Sequence, residues 1–246
     1  GGGAAAMVTT WLPLPRLQDA AELLDRPDNS DEEIRENLRD LERLNRYFGG
    51  THAVLLHLSR MVGKRSQSPL TILDVATGGA DIPRAICRWA RKRKLSVAIE
   101  AVDRGDQVLA AATEWSIDFP EIRLRRAQAP PLPYPDCSFD YVISSLFFHH
   151  LNEAEGILLL REMARVARCG LLVNDLLRNR LACLLTAMTT RLLSGNRLTR
   201  HDGPMSVLRG FRPQELRRMA TKAGLTNVRL SHHLWFRIAL TKEIAI

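Results

Sequence analysis

The residues able to do chemistry fall in three places. The first is "TILDVATGGADIP", residues 71–83, where a strand-like run stops at Gly78-Gly79 with Asp74 on one side and Asp81 on the other. The second is His149-His150, directly after "FDYVISSLFF", and the third is "TRHDGPMS", where His201 stands next to Asp202. A glycine turn between a strand and a helix lets a ligand approach bare backbone N–H groups at the helix N-terminus. A dinucleotide site would read G-x-G-x-x-G there. This chain has Ala76, Gly78 and Asp81 in that register, with Asp74 just before it, and the extra carboxylates would repel a pyrophosphate. They suit a ligand that carries an ammonium and a sulfonium but no phosphate, which is S-adenosylmethionine. The next strand-like run, "VAIEAVD", ends on Asp103, an acid placed to accept both ribose hydroxyls at the usual spacing of roughly 20 residues.

If the ligand's sulfonium gives up its methyl group, the histidines bear on what receives it. Transfer from a sulfonium is an in-line displacement, so much of the catalysis can come from holding nucleophile and methyl at near-attack distance. A base is needed only if the nucleophile carries a proton of high pKa. Histidine titrates near neutrality and can take a proton from a phenol or enol. His150 and His149, between the fourth strand and a helix opened by the capping box Asn152/Glu155, are the leading candidates. The plainer alternative is that one of the pair only shapes its loop. His201 is a further base candidate, in a turn that Gly203-Pro204 would set; its alternative is a solvated Asx-type turn.

The elements that must position these residues alternate between helical and strand-like periodicity. Strands are expected at Leu70 to Val75, Ser96 to Val102, Ile122 to Arg125, Phe139 to Ser145 and Gly170 to Asn174, with two more in "LTNVRLSHHLWFRIALTKE". That alternation predicts an α/β fold: an open, mostly parallel sheet with helices on both faces and an antiparallel C-terminal hairpin. Ligands on such a sheet bind outside the carboxyl ends of the strands, where strand order reverses. Residues 1–6 read as a cloning remnant, 7–66 as a helical N-terminal extension, and 67–246 as the main domain with a helical lid insertion at about 176–210. In the extension, one helix runs from near Ser30 to Gly49-Gly50, with Ile34, Leu38, Leu41 and Leu44 on one face. In the lid, Leu177, Leu181, Leu184, Leu185, Met188 and Leu192 share a helical face interleaved with Arg178, Arg180 and Arg191. Such a face packs on a core, walls an acceptor pocket, or contacts a membrane surface peripherally.

With these pieces assembled, the chain resembles the class I S-adenosylmethionine-dependent methyltransferases from about residue 70 to 246, and within them the quinone-biosynthesis branch. "LDVATGGAD" matches the glycine-rich first motif, "AVD" the ribose acid, "LPYPDCSFDYVISSLFFHHL" the fourth-strand region, and "FRPQELRRMATKAGL" the helix before the final hairpin. The resemblance implies a Rossmann-like seven-stranded sheet, and a cofactor site of Asp74, Ala76, Gly78, Gly79, Asp81, Asp103, Arg104, Gln128, Ala129 and Ser145. Arg46 and Tyr47 of the extension are expected to close over the cofactor. The chain departs from the pattern at Ala80, where the family often has glycine. It departs again at Gln128, where an aspartate usually accepts from the adenine amine; the Gln128 amide oxygen can accept the same bond. The implied reaction is methylation, at oxygen or carbon, of an apolar phenol, quinol or polyketide-like small molecule.

Composition bounds the alternatives. A net charge of +8 and a pI near 9.8 allow a nucleic-acid partner, and an RNA or protein methyltransferase or a non-catalytic cofactor-binding subunit stays open beside the small-molecule enzyme. Scattered basic residues, and "SSLFFHH" in place of an "NPPY"-like tetrapeptide, argue against nucleic acid. Cys87, Cys137, Cys169 and Cys183 form no CxxC pair and lack metal-ligand spacing, so reduced thiols and no metal are expected. No apolar run reaches the roughly 18 residues of a membrane span, and the chain is expected to be soluble and cytoplasmic. Its oligomeric state is left open.

Overall fold

The structure is a computed structural model and describes residues 14–17, 22–26, 28–63 and 69–244. Residues 1–6 and the expected boundary at 66 and 67 lie outside the described residues. The strands are β1 (Leu70–Val75), β2 (Val97–Asp103), β3 (Ile122–Arg126), β4 (Phe139–Ser145), β5 (Ala167–Leu176), β6 (Arg229–His233) and β7 (Arg237–Glu243), in the sheet order β3-β2-β1-β4-β5-β7-β6. β1 to β5 pair in parallel and β7 runs antiparallel to both β5 and β6. The order reverses between β1 and β4, so the crevice that this topology reserves for ligands opens beside the loop after β1.

The central strands are largely buried and mostly apolar because both their faces are covered. Alternate residues feed two cores. Leu73, Val75, Val142 and Leu171 pack against α5 (Glu153–Val166) and α8 (Pro213–Lys222). Ile72, Ile99, Tyr141 and Ile143 pack against α2 (Gly50–Val62) and α3 (Asp81–Lys92) on the other side. β5 is longer than its apolar run suggests, because β7 pairs with it continuously from Gly170 opposite Glu243 to Leu176 opposite Arg237.

Helix α1 (Asp31–Tyr47) begins at Ser30 with a full capping box to Glu33, and the chain turns through Gly49 at φ 77°. Its inward face buries Ile34 and Leu38, and Leu41 and Leu44 continue that face along a cavity wall. α4 (Asp106–Trp115) packs beside it.

The lid differs from expectation. "TRHDGPMS" is not a turn: it lies within α7 (Arg197–Arg209), which carries Pro204 inside it. Asn196 caps the start by accepting from the amides of Leu198 and Thr199. Gly203 serves packing, since a Cβ there would sit 2.9 Å from Thr190 Cγ2 of α6 (Arg180–Leu193). Pairing with α6 therefore overrides the local turn signal. The leucine face of α6 is also divided: Leu181, Leu184, Met188 and Leu192 are 51–79% exposed, while Ala182 and Leu185 face the cavity. Leu177 precedes the helix and bridges to Phe211. The lid helix thus walls a pocket and does not bury its leucine stripe in the core.

Candidate active site

The turn after β1 is built from left-handed residues. Ala76, Gly78 and Ala80 have φ near +56°, with Ala80 capping α3. A Cβ on Gly79 would approach the Trp115 ring to 3.1 Å, so the loop is held tightly under α1 and α4. Asp103, at the tip of β2, ties two loops together: Oδ2 accepts from the Gly78 amide at 2.9 Å and Oδ1 from the Gly105 amide at 3.0 Å. Asp81 accepts from Asn45 Nδ2 at 3.0 Å, and Asn45 Oδ1 in turn accepts from the buried Arg237 guanidinium at 3.2 Å. Burial raises the Asp81 pKa, and Glu42 adds to it against the pull of Asn45 and Arg84.

These groups border a cavity of about 1030 Å³ at the carboxyl ends of the strands, at the upper end of the volumes common for small-molecule sites. Ala76, Gly78, Gly79, Asp81, Asp103, Arg104, Gln128, Ala129 and Ser145 all line it. Ser145 Oγ accepts from Asn174 Nδ2 at 2.8 Å.

Three expected cofactor contacts, Asp74, Arg46 and Tyr47, are placed elsewhere. Asp74 lies beneath the turn, 2% exposed and behind the cavity wall; burial pushes its carboxyl up to about 7, with Asp81 and Asp103 adding to the effect and Thr77 opposing it. It supports the loop from below. Arg46 and Tyr47 point outward, with Tyr47 70% exposed and the Arg46 guanidinium 5.8 Å from its ring. The inward face of α1 carries residues 34, 38, 41 and 45, and the next two positions rotate away by about 100° each. Asn45 and Phe48 line the cavity in their stead.

Across the cavity, a 3-10 turn over Phe148–His150 presents both histidines to the space. His149 is buried: Nδ1 lies 2.7 Å from Asp175 Oδ1, and its amide donates to Asp175 Oδ2 at 2.9 Å. Its Nε2 is 3.6 Å from Glu22 Oε1, and His150 Nε2 is 3.6 Å from Glu22 Oε2. Burial disfavours the charged His149 ring, but Asp175 and Glu22 outweigh it and raise its pKa. Burial raises Glu22, against the effects of His149 and Ser206. His150 is held well below the usual imidazole value by burial, His149, Arg209 and Arg104, so its ring is neutral near pH 7. His201 is not part of this group. Its side chain is 44% exposed, its Nδ1 lies 2.8 Å from Asp202, and it does not line this cavity.

Residues 72–170 match the family model described as a methyltransferase domain. Over those residues the chain carries a methyltransferase domain, and it resembles the class I S-adenosylmethionine-dependent methyltransferases. Over 73 residues it is 40% identical to the ubiquinone/menaquinone biosynthesis C-methyltransferase UbiE of Rickettsia akari, a stretch covering 28% of this chain and 29% of that one. The match thus spans under a third of that curated relative. Among solved structures, a SAM dependent methyltransferase from Aquifex aeolicus superposes with a TM-score of 0.60 at 16% identity, covering 88% of this chain and all of that one. An O-methyltransferase family 2 protein from Planctomyces limnophilus, in complex with apigenin, gives 0.63 at 18% identity, covering 89% and 63%. At such identities the superpositions show the fold.

Several residues that shape the methyltransferase site escaped the sequence pattern. Asp175 had a signal, an acid at a strand tip like Asp103. Glu22 had none, since it precedes a short 3-10 turn over Leu23–Asp25 without periodicity. Its segment is tied down from afar: the amides of Leu23 and Leu24 donate to the two oxygens of Asp202 at 2.9 and 3.0 Å. Arg209 and Arg16 brace the histidine turn by donating to the carbonyls of His149, His150 and Leu151.

Proposed function

We propose that the protein transfers a methyl group from S-adenosylmethionine to an apolar small molecule of phenol, quinol or polyketide-like type, at oxygen or carbon. The observation that carries this reading is one cavity with two chemistries. Asp81 and Asp103 stand beside the glycine turn, and His149 and His150 stand with Leu24, Phe147, Leu176, Leu185 and Phe236 on the same wall.

The residues present fit the cofactor. Asp81 offers a negative charge for its ammonium, Asp103 two oxygens for ribose hydroxyls, and Gln128 an acceptor for the adenine amine. The apolar wall excludes water and orients the acceptor, which sets nucleophile against methyl. His150, neutral and facing the cavity, takes the acceptor proton, and Glu22 stabilises the resulting imidazolium. The outer face of α6, with Leu181, Leu184, Met188 and Leu192 flanked by Arg180 and Arg191, supports peripheral contact with an anionic lipid surface from which an apolar acceptor could enter. Free cysteines, two of them buried, fit a reducing cytoplasm.

The test is incubation with methyl-labelled S-adenosylmethionine and a panel of phenols, quinols and resorcylic polyketides, read by mass spectrometry. A product heavier by one labelled methyl, absent with His150→Gln, supports the reading. Label appearing only on added RNA or protein would contradict it.

A further inference from the structure

Glu22, His149 and His150 each bring a potential metal-ligand atom to the same place, all within 4.8 Å of one another. Glu22 Oε1 lies 3.6 Å from His149 Nε2, and Glu22 Oε2 lies 3.6 Å from His150 Nε2. That is long for a hydrogen bond. It is close to the spacing of two ligands sharing an ion, since donors about 2.1 Å from a tetrahedral centre stand about 3.4 Å apart. The support around the donors is of the kind a ligand imidazole needs. Asp175 engages His149 Nδ1 at 2.7 Å, which fixes the ring and leaves Nε2 facing Glu22. Ser206 Oγ donates to Glu22 Oε1 at 2.8 Å, and Arg209 holds the turn by its carbonyls. Glu22 and Asp175 bring two carboxylates to this wall, which offsets the cationic arginines behind it.

We propose that Glu22, His149 and His150 form a binding site for a divalent transition-metal ion. Two imidazole nitrogens and one carboxylate suit zinc, iron, cobalt or manganese over magnesium or calcium, which prefer all-oxygen shells. Three protein ligands leave coordination open toward the cavity, where an oxygen of the acceptor binds. The identity of that oxygen rests on the proposed function; binding of the ion does not. An ion held by these three residues would supply Lewis-acid chemistry, lowering the pKa of an acceptor oxygen so that its proton could pass to solvent. Without the ion, His150 takes that proton itself.

The test is equilibrium dialysis of the chelator-treated full chain against Zn²⁺ and Mg²⁺, with Co²⁺ as an optical probe of coordination. One Zn²⁺ per chain is expected, with Mg²⁺ much weaker and visible Co²⁺ bands. Glu22→Gln and His150→Gln should each lower Zn²⁺ affinity by tenfold or more, and Asp175→Asn by about 10- to 100-fold through loss of ring support. S-adenosylmethionine titration of the same variants checks folding and tests the function separately: retained cofactor binding with lost Zn²⁺ supports the site. The pair His57 and His233, whose Nε2 atoms are 2.8 Å apart, is the competing locus. Absence of stoichiometric Zn²⁺ binding, or binding that survives both Glu22→Gln and His150→Gln but falls with His233→Ala, would overturn the proposal.

Discussion

Asp103 and His150 line one cavity, and their substitutions should separate binding from chemistry. His150→Gln is expected to lower kcat by about 10²- to 10⁴-fold, the range of a lost acid–base group, while cofactor affinity stays within a few-fold. Initial rates and calorimetry on the same preparation check it. Asp74 makes a different prediction. Its carboxyl is raised to about 7 in the native state, above the usual value near 3.9 that it regains on unfolding. Between those values the native state holds a proton that the unfolded chain has released, so this residue's contribution to stability falls as pH rises through the window. Asp74→Asn should flatten the fall, seen as a wild-type-minus-variant unfolding free energy that declines from pH 5 to pH 8. An unchanged difference would place the Asp74 pKa near its ordinary range.

At the scale of elements, the lid and α1 show where local pattern decides and where packing overrides it. The Ser30/Glu33 capping box and the Ile34/Leu38/Leu41/Leu44 face were legible in the sequence because a helix start and an apolar stripe are local signals. The strand tips carrying Asp103 and Ser145 were legible for the same reason. Gly203-Pro204 misled because the glycine answers to Thr190 of another helix, a contact invisible to local reading. Arg46 and Tyr47 were misplaced by a single helical step, since rotation along α1 selects Asn45 and turns its neighbours outward. Glu22 was unreadable because its placement depends on Asp202, far along the chain. Gly203→Val should therefore destabilise by about 1–3 kcal/mol, the cost of overpacking a close contact, and lower the thermal midpoint. Equal stability of the variant would show that α6 and α7 pack less tightly than described.

For the whole molecule, the sheet reversal between β1 and β4 explains why one crevice collects residues from the extension, four strand tips and the lid. The outward leucines of α6 and the net charge of +8 extend the account to the surface. Sedimentation with vesicles containing anionic lipid is expected to capture the protein, less so at high salt and less so again for Leu184→Glu with Leu192→Glu. Capture independent of both would assign the contact to another face. The central claim, that this cavity takes S-adenosylmethionine beside Asp103, is tested most directly by calorimetric titration of the wild type and Asp103→Ala with S-adenosylmethionine and S-adenosylhomocysteine. The account predicts saturable micromolar binding to the wild type and a large loss in the variant, with the fold retained by circular dichroism. No binding to the wild type, or equal binding to both, would contradict it.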